Sequence, residues 1–61
     1  MTLKNALKVK VGDNLNAKDG YSFAVEKITE ESNAANTERY IKFFGMSTRG
    51  IQVFYTHKQI R

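Results

Sequence analysis

Arg39-Tyr40-Ile41-Lys42-Phe43-Phe44-Gly45-Met46-Ser47-Thr48-Arg49-Gly50-Ile51-Gln52-Val53-Phe54-Tyr55 is the stretch that decides the fold class. In an extended chain successive side chains point to opposite sides, so Ile41 and Phe43 share one face while Tyr40, Lys42 and Phe44 share the other. Apolar residues on both faces mark a strand covered on both sides, the central strand of a sheet. A turn bounded by Gly45 and Gly50 follows, and Ile51, Val53 and Tyr55 then alternate with Gln52 and Phe54 in another strand. The two strands are expected to pair as a hairpin in an all-β domain. After them, Thr56-His57-Lys58-Gln59 is too polar for a core strand, and Ile60 is placed as the anchor of a short turn or a fifth strand.

Working toward the N-terminus, Thr29 to Glu38 contains no large apolar side chain. It has nothing with which to join a core and is expected to be a mobile surface loop. The competing assignment is a short helix with Thr29 as its N-cap, although Asn33, Asn36 and Thr37 are mediocre helix formers. A strand from Tyr21 to about Ile28 precedes it, with Tyr21, Phe23 and Val25 on one face and Ser22, Ala24 and Glu26 on the other. The switch to Ile28 predicts a bulge or twist near Lys27. Asp19-Gly20 supplies the positive φ of a tight turn before it. Lys8-Val9-Lys10-Val11 alternates with period two and reads as a first strand, kinked at Gly12.

A chain of 61 residues has room for one domain, expected over residues 1–61. A domain of this size removes only about 60% of its unfolded surface from water, so each large apolar residue counts. Cysteine is absent, so neither a disulfide nor a thiolate can contribute. No apolar run approaches the ~20 residues that cross a bilayer, and no continuous apolar signal-peptide core opens the chain. A soluble cytoplasmic protein is expected, with no membrane partner.

The net charge of +4 is segregated. Residues 1 to 18 carry Lys4, Lys8, Lys10 and Lys18 against Asp13, and residues 39 to 61 carry Arg39, Lys42, Arg49, Lys58 and Arg61 with no acid. Between them, residues 19 to 38 hold Asp19, Glu26, Glu30, Glu31 and Glu38 against Lys27 alone. If the basic segments meet in space, their fields add within about a Debye length, ~8 Å at physiological salt, and favour anionic partners.

The order of elements, carried by Val9-Lys10-Val11-Gly12-Asp13-Asn14-Leu15, Phe23-Ala24-Val25-Glu26-Lys27-Ile28 and the hairpin from Tyr40 to Tyr55, resembles a small barrel of the Src-homology-three type. Tudor and KOW modules share that fold. The resemblance implies a five-stranded antiparallel SH3-like barrel and covers most of the chain. The chain lacks the Trp of a proline-rich peptide groove and a clear aromatic cage for methylated lysine. Its short length also resembles that of small proteins encoded by bacteriophages and other mobile elements.

Catalytic patterns are missing. His57 is the single histidine, and Ser22, Ser32 and Ser47 stand in no elbow or triad spacing. Glu30 and Glu31 are adjacent on a polar stretch rather than set across a cleft. Asp13 and Asp19 do not have calcium-loop spacing, and Gly45 and Gly50 do not begin a P-loop. A non-enzymatic role without metal or cofactor is expected. Two binding roles remain. The first is nucleic-acid binding, with Lys10, Arg39, Lys42, Arg49, Lys58 and Arg61 on phosphates and Tyr40 or Tyr55 stacked on bases. The second is a protein-interaction module, either a homodimer or a small inhibitor docking on a host or phage partner. It is motivated by the two-sided apolar pattern of Tyr40 to Phe44 and of Phe54-Tyr55, which one small core cannot cover.

Overall fold

The computed structural model describes residues 1–61 and shows an all-β architecture, a strongly curled four-stranded antiparallel sheet that forms a half-barrel. A one-turn helix α1 (Leu3–Ala6) precedes strands β1 (Asn14–Asn16), β2 (Ser22–Ser32), β3 (Arg39–Ser47) and β4 (Gln52–Thr56), and a 3-10 turn (His57–Gln59) follows. The strands lie in the order β1-β2-β3-β4, each bonded to its sequence neighbour. Such a meander joins strands consecutive in sequence without a crossover, although the pairs farthest from each turn, such as Phe23 with Ser47, bring distant residues together.

The hairpin expected from residues 39–55 is present as β3 and β4, in register Phe43↔Tyr55, Phe44↔Phe54 and Gly45↔Val53. β3 runs further than its alternation suggested, through Gly45 to Ser47. Gly45 is a strand residue because β2 passes too close for any side chain: a Cβ there would lie 1.9 Å from the Ala24 carbonyl oxygen. The turn is therefore tighter. It closes over Thr48–Gly50 with Gly50 at φ 78°, and the Ser47 hydroxyl accepts the backbone N–H groups of Arg49 and Ile51 at 3.3 Å.

The bulge is where the change of facing residue put it. The register of β2 against β3 slips between Val25 and Lys27, leaving Glu26 as the extra residue. A bulge turns Glu26 and Lys27 to the same side of the sheet and adds twist, which helps curl it.

The curl encloses a core of Ala6, Ala17, Phe23, Val25, Ile41, Phe43, Tyr55 and Ile60, with Met1, Leu3, Val9, Leu15, Ile28 and Val53 packed against it. Phe23 and Tyr55 rings meet at 5.2 Å. Tyr21 departs from the expected face and is exposed, because it belongs to the Asp19-Gly20 turn, where its N–H donates to Asp19 Oδ1 at 3.1 Å. Gly20 has the positive φ that the turn requires, 97°.

Two expectations are overturned. Lys8 to Val11 is not a strand. Local bonds use up its backbone: Lys10 N–H donates to Asp13 Oδ2 at 2.9 Å and Asp13 N–H to the Lys10 carbonyl at 3.0 Å, while Gly12 N–H reaches Val25 at 2.8 Å. Val11 is left 64% exposed, and the first strand is the three residues beyond the Gly12 kink. Second, residues 29–38 are neither a long loop nor a helix. β2 continues to Ser32 against the first half of β3, and only Asn33 to Glu38 turn, with Asn33 Oδ1 accepting from Thr37 and Glu38 and Asn36 at φ 59°. A paired ribbon satisfies its backbone through the ladder and so needs no core of its own. Of the two alternatives at the C-terminus, the short turn is present as His57–Gln59 with Ile60 buried behind it, and strand pairing there is a single bridge, Ala17↔Ile60, flanked by Lys18 N–H to Gln59 O at 2.7 Å and Arg61 N–H to Asn16 O at 2.9 Å. Together with the N-terminal ammonium on the Ile60 carbonyl, these bonds join the two ends of the half-barrel.

Candidate functional site

Pairing β2 with β3 folds the acidic middle of the chain onto the basic segment that follows it. Arg39 binds Glu30, its Nε donating at 2.7 Å; Lys42 binds Glu31 at 3.0 Å; Lys58 binds Glu38 at 3.3 Å. The positive flank expected from residues 39–61 is thereby largely neutralised, since three of its five cations are paired within the molecule. The cations without an ion pair are Lys4, Lys8 and Lys10 at the N-terminal end, Lys18 and Arg61 beside the Ala17–Ile60 bridge, Lys27 on the sheet and Arg49 in the last turn. The basic termini do meet at that bridge, where Lys18 and Lys58 border a small hollow with Asp19 and Gln59.

The two tyrosines expected to stack on bases are both engaged. Tyr55 is a core residue, 8% exposed; its ring lies against Phe23 and its hydroxyl donates to Asp19 Oδ2 at 2.9 Å. Burial first, and then the Asp19 hydrogen bond, raise its pKa. Its ring is packed in the core and reaches the surface only at the hollow it lines with Lys18, Asp19, Lys58 and Gln59. Tyr40 is half-buried on the outer side of β3, with its hydroxyl on Glu38 and the Lys58 ammonium 5.0 Å from its ring centroid. The Glu38 bond raises the Tyr40 pKa and, with Lys58, lowers that of Glu38. Of the other expected contacts, Lys10, Arg39, Arg49, Lys58 and Arg61 are exposed at scattered places, and Lys42 adjoins a pair of rings on the outer face of the sheet.

Those rings are Phe44 and Phe54. The register Phe44↔Phe54 sets them side by side on the outer face of the sheet, stacked with centroids 5.9 Å apart. Phe54 is 62% exposed. Lys27 Nζ lies over the Phe44 ring and Lys42 Nζ over the Phe54 ring, each at 5.8 Å, within the range of cation–π attraction. Glu26, Lys27, Phe44, Gly45, Gln52, Val53 and Phe54 line a shallow groove of about 420 Å³ here.

Sequence reasoning placed Phe44 and Phe54 on an uncovered patch without making them the stacking residues, and it missed Glu26, Lys27 and Gln52. The missing signal was register. Once the turn is shortened to Thr48–Gly50, positions 44 and 54 face each other and share the outer side with 42 and 52. The bulge then adds 26 and 27.

His57, the one histidine, is structural. It is buried, and its Nδ1 accepts the Ile41 backbone N–H at 3.3 Å, standing in for a carbonyl where β4 has ended. Burial, followed by the nearby Lys58 charge, lowers its pKa and keeps it neutral. No helix is long and apolar enough to cross a membrane. Comparison with protein-family models, with curated proteins and with solved structures found no match to this chain.

Proposed function

We propose that this chain is a non-catalytic binding module that takes nucleic acid on the outer face of its sheet. The observation that carries the reading is the outer-face pair of exposed Phe54 and half-buried Phe44, with an ammonium group above each ring. A flat π surface and positive charge at one place suit a ligand whose bases stack and whose backbone is anionic. Stacking contributes about 1–3 kcal/mol per base, and each phosphate contact adds to the salt dependence. Lys27 has no ion pair to break, and at Lys42 a phosphate would take the place of the Glu31 carboxylate, one anion for another. The unpaired cations elsewhere on the molecule steer an anion toward it from a distance.

The test is a titration with labelled single-stranded and duplex oligonucleotides at about 50 mM and about 200 mM salt. Affinity that falls with salt, with a slope reduced by about one unit on removing Lys27 or Lys42, agrees with the reading. No binding at the lower salt concentration rejects it. A second reading is favoured by one observation: Met46, Ile51 and Phe54 are large exposed apolar residues, and Met46 and Phe54 lie on the same side of the sheet. On that reading the face is covered by another protein or by a second copy of the chain, and sedimentation would show association that Phe54→Ala abolishes.

A further inference from the structure

Five of the six carboxylates have a partner within the molecule. Asp13 accepts from the Lys10 backbone, Asp19 from Tyr21 and Tyr55, and Glu30, Glu31 and Glu38 hold Arg39, Lys42 and Lys58. Glu26 alone has neither ion pair nor hydrogen bond, and it is the residue that the β2 bulge inserts at the Phe44–Phe54 groove. A bulge beside a binding surface re-aims a side chain, and here it sets an acceptor-only carboxylate next to Lys27 in the chain, at the rim of a groove lined by half-buried Phe44 and exposed Phe54.

That juxtaposition is specific in its demands. A base lying on Phe54 presents its edge to the groove wall, while its phosphates remain near Lys27 and Lys42. A carboxylate at the wall accepts from an exocyclic amino group and repels a carbonyl oxygen. Gln52, at the same groove, carries both donor and acceptor and does not discriminate. In a duplex the base faces are covered by neighbouring pairs, so only an unpaired base can use the rings. Resting on the reading of this face as a nucleic-acid surface, we infer that the groove takes single-stranded nucleic acid and selects bases bearing an amino group, such as cytosine, over thymine or uracil, with Glu26 as the selecting residue. Glu26 is then a specificity residue, whereas Phe54 and the two lysines supply affinity to any base.

Fluorescence anisotropy with labelled oligocytidylate and oligothymidylate of equal length, at low salt and neutral pH, tests this. The expected result is tighter binding of oligocytidylate by about five- to tenfold, within the range for discrimination at a base edge. Glu26→Ala, at an exposed position, brings that ratio to near one while leaving the thermal midpoint unchanged. Phe54→Ala weakens both ligands by about tenfold or more, and Phe54→Trp restores binding. Because the chain has no other tryptophan, quenching of its fluorescence by the oligonucleotide reports stacking directly. If both oligonucleotides bind equally, or if the preference survives Glu26→Ala, the role of Glu26 is overturned and the module reading stands. If neither oligonucleotide binds, both fall. Self-association that disappears in Phe54→Ala would assign the groove to a second copy of the chain and overturn the inference as well.

Discussion

β3 presents two faces, and they treat aromatic rings in opposite ways. On the inner face Phe43 is fully buried between its neighbours in the curl, with Ile41 on one side and Gly45 on the other. On the outer face Phe44 stands half-buried beside the exposed Phe54, with a lysine over each ring. The residues differ by one position in the chain and not at all in chemistry. What separates them is the direction of the curl: a single four-stranded sheet can close around one face only, and α1 with the terminal segments covers that face. The apolar side chains left on the convex side are available for binding, which is why core and candidate site share a strand.

The sharpest way to break this contrast is to truncate one ring on each face. Phe43→Ala should cost about 3–5 kcal/mol and unfold most of the protein, whereas Phe54→Ala should stay within about 0.5 kcal/mol of the parent in urea denaturation. Equal losses would show that the outer pair belongs to the core. Next in size is Gly45→Ala. Its methyl group would meet the Ala24 carbonyl and the Phe23 ring, so a loss of about 1–3 kcal/mol or more is expected, together with weaker signatures of the β2–β3 pairing in amide exchange.

His57 sharpens the contrast at the edge of the inner face. Its pKa is lowered in the fold relative to the unfolded chain, so the unfolded state binds the proton more readily. Stability contributed by neutral His57 is complete above the unfolded value, ~6.5, and is lost as pH falls through and below it. The loss should be roughly 1 kcal/mol, the size of the Ile41 hydrogen bond, and should vanish in His57→Gln when midpoints at pH 7.5 and 5 are compared. The smallest effect belongs to the ribbon beyond the core. Glu30→Gln should change stability by no more than about 0.5–1 kcal/mol, because its pair with Arg39 is exposed, while raising affinity for an oligonucleotide by freeing Arg39.

The parts of this fold that were legible are those governed by local period. Ile41 and Phe43 against Tyr40, Lys42 and Phe44, the β3–β4 hairpin, the Asp19-Gly20 turn and the slip near Lys27 all follow from alternation and turn chemistry. The N-terminal stretch misled because Lys8-Val9-Lys10-Val11 has the strand period, but the N–H groups of Lys8, Val9 and Lys10 are taken by Asn5, Ala6 and Asp13. Residues 29–32 misled in the other direction: strand formation there rests on partners in β3 and not on their own apolarity. The candidate site was legible only as an uncovered apolar patch. Its charges were misjudged, since a segment that is basic in sequence is laid by the hairpin against the segment that is acidic.

Composition and alternation by themselves determined an all-β domain with a small core, an aromatic central strand and an excess of positive charge. Which rings stay outside, which cations remain unpaired and where Glu26 points were decided by cross-strand register and by the direction of the curl. Both depend on contacts between residues distant in the chain, and a one-residue slip moves every side chain to the opposite face.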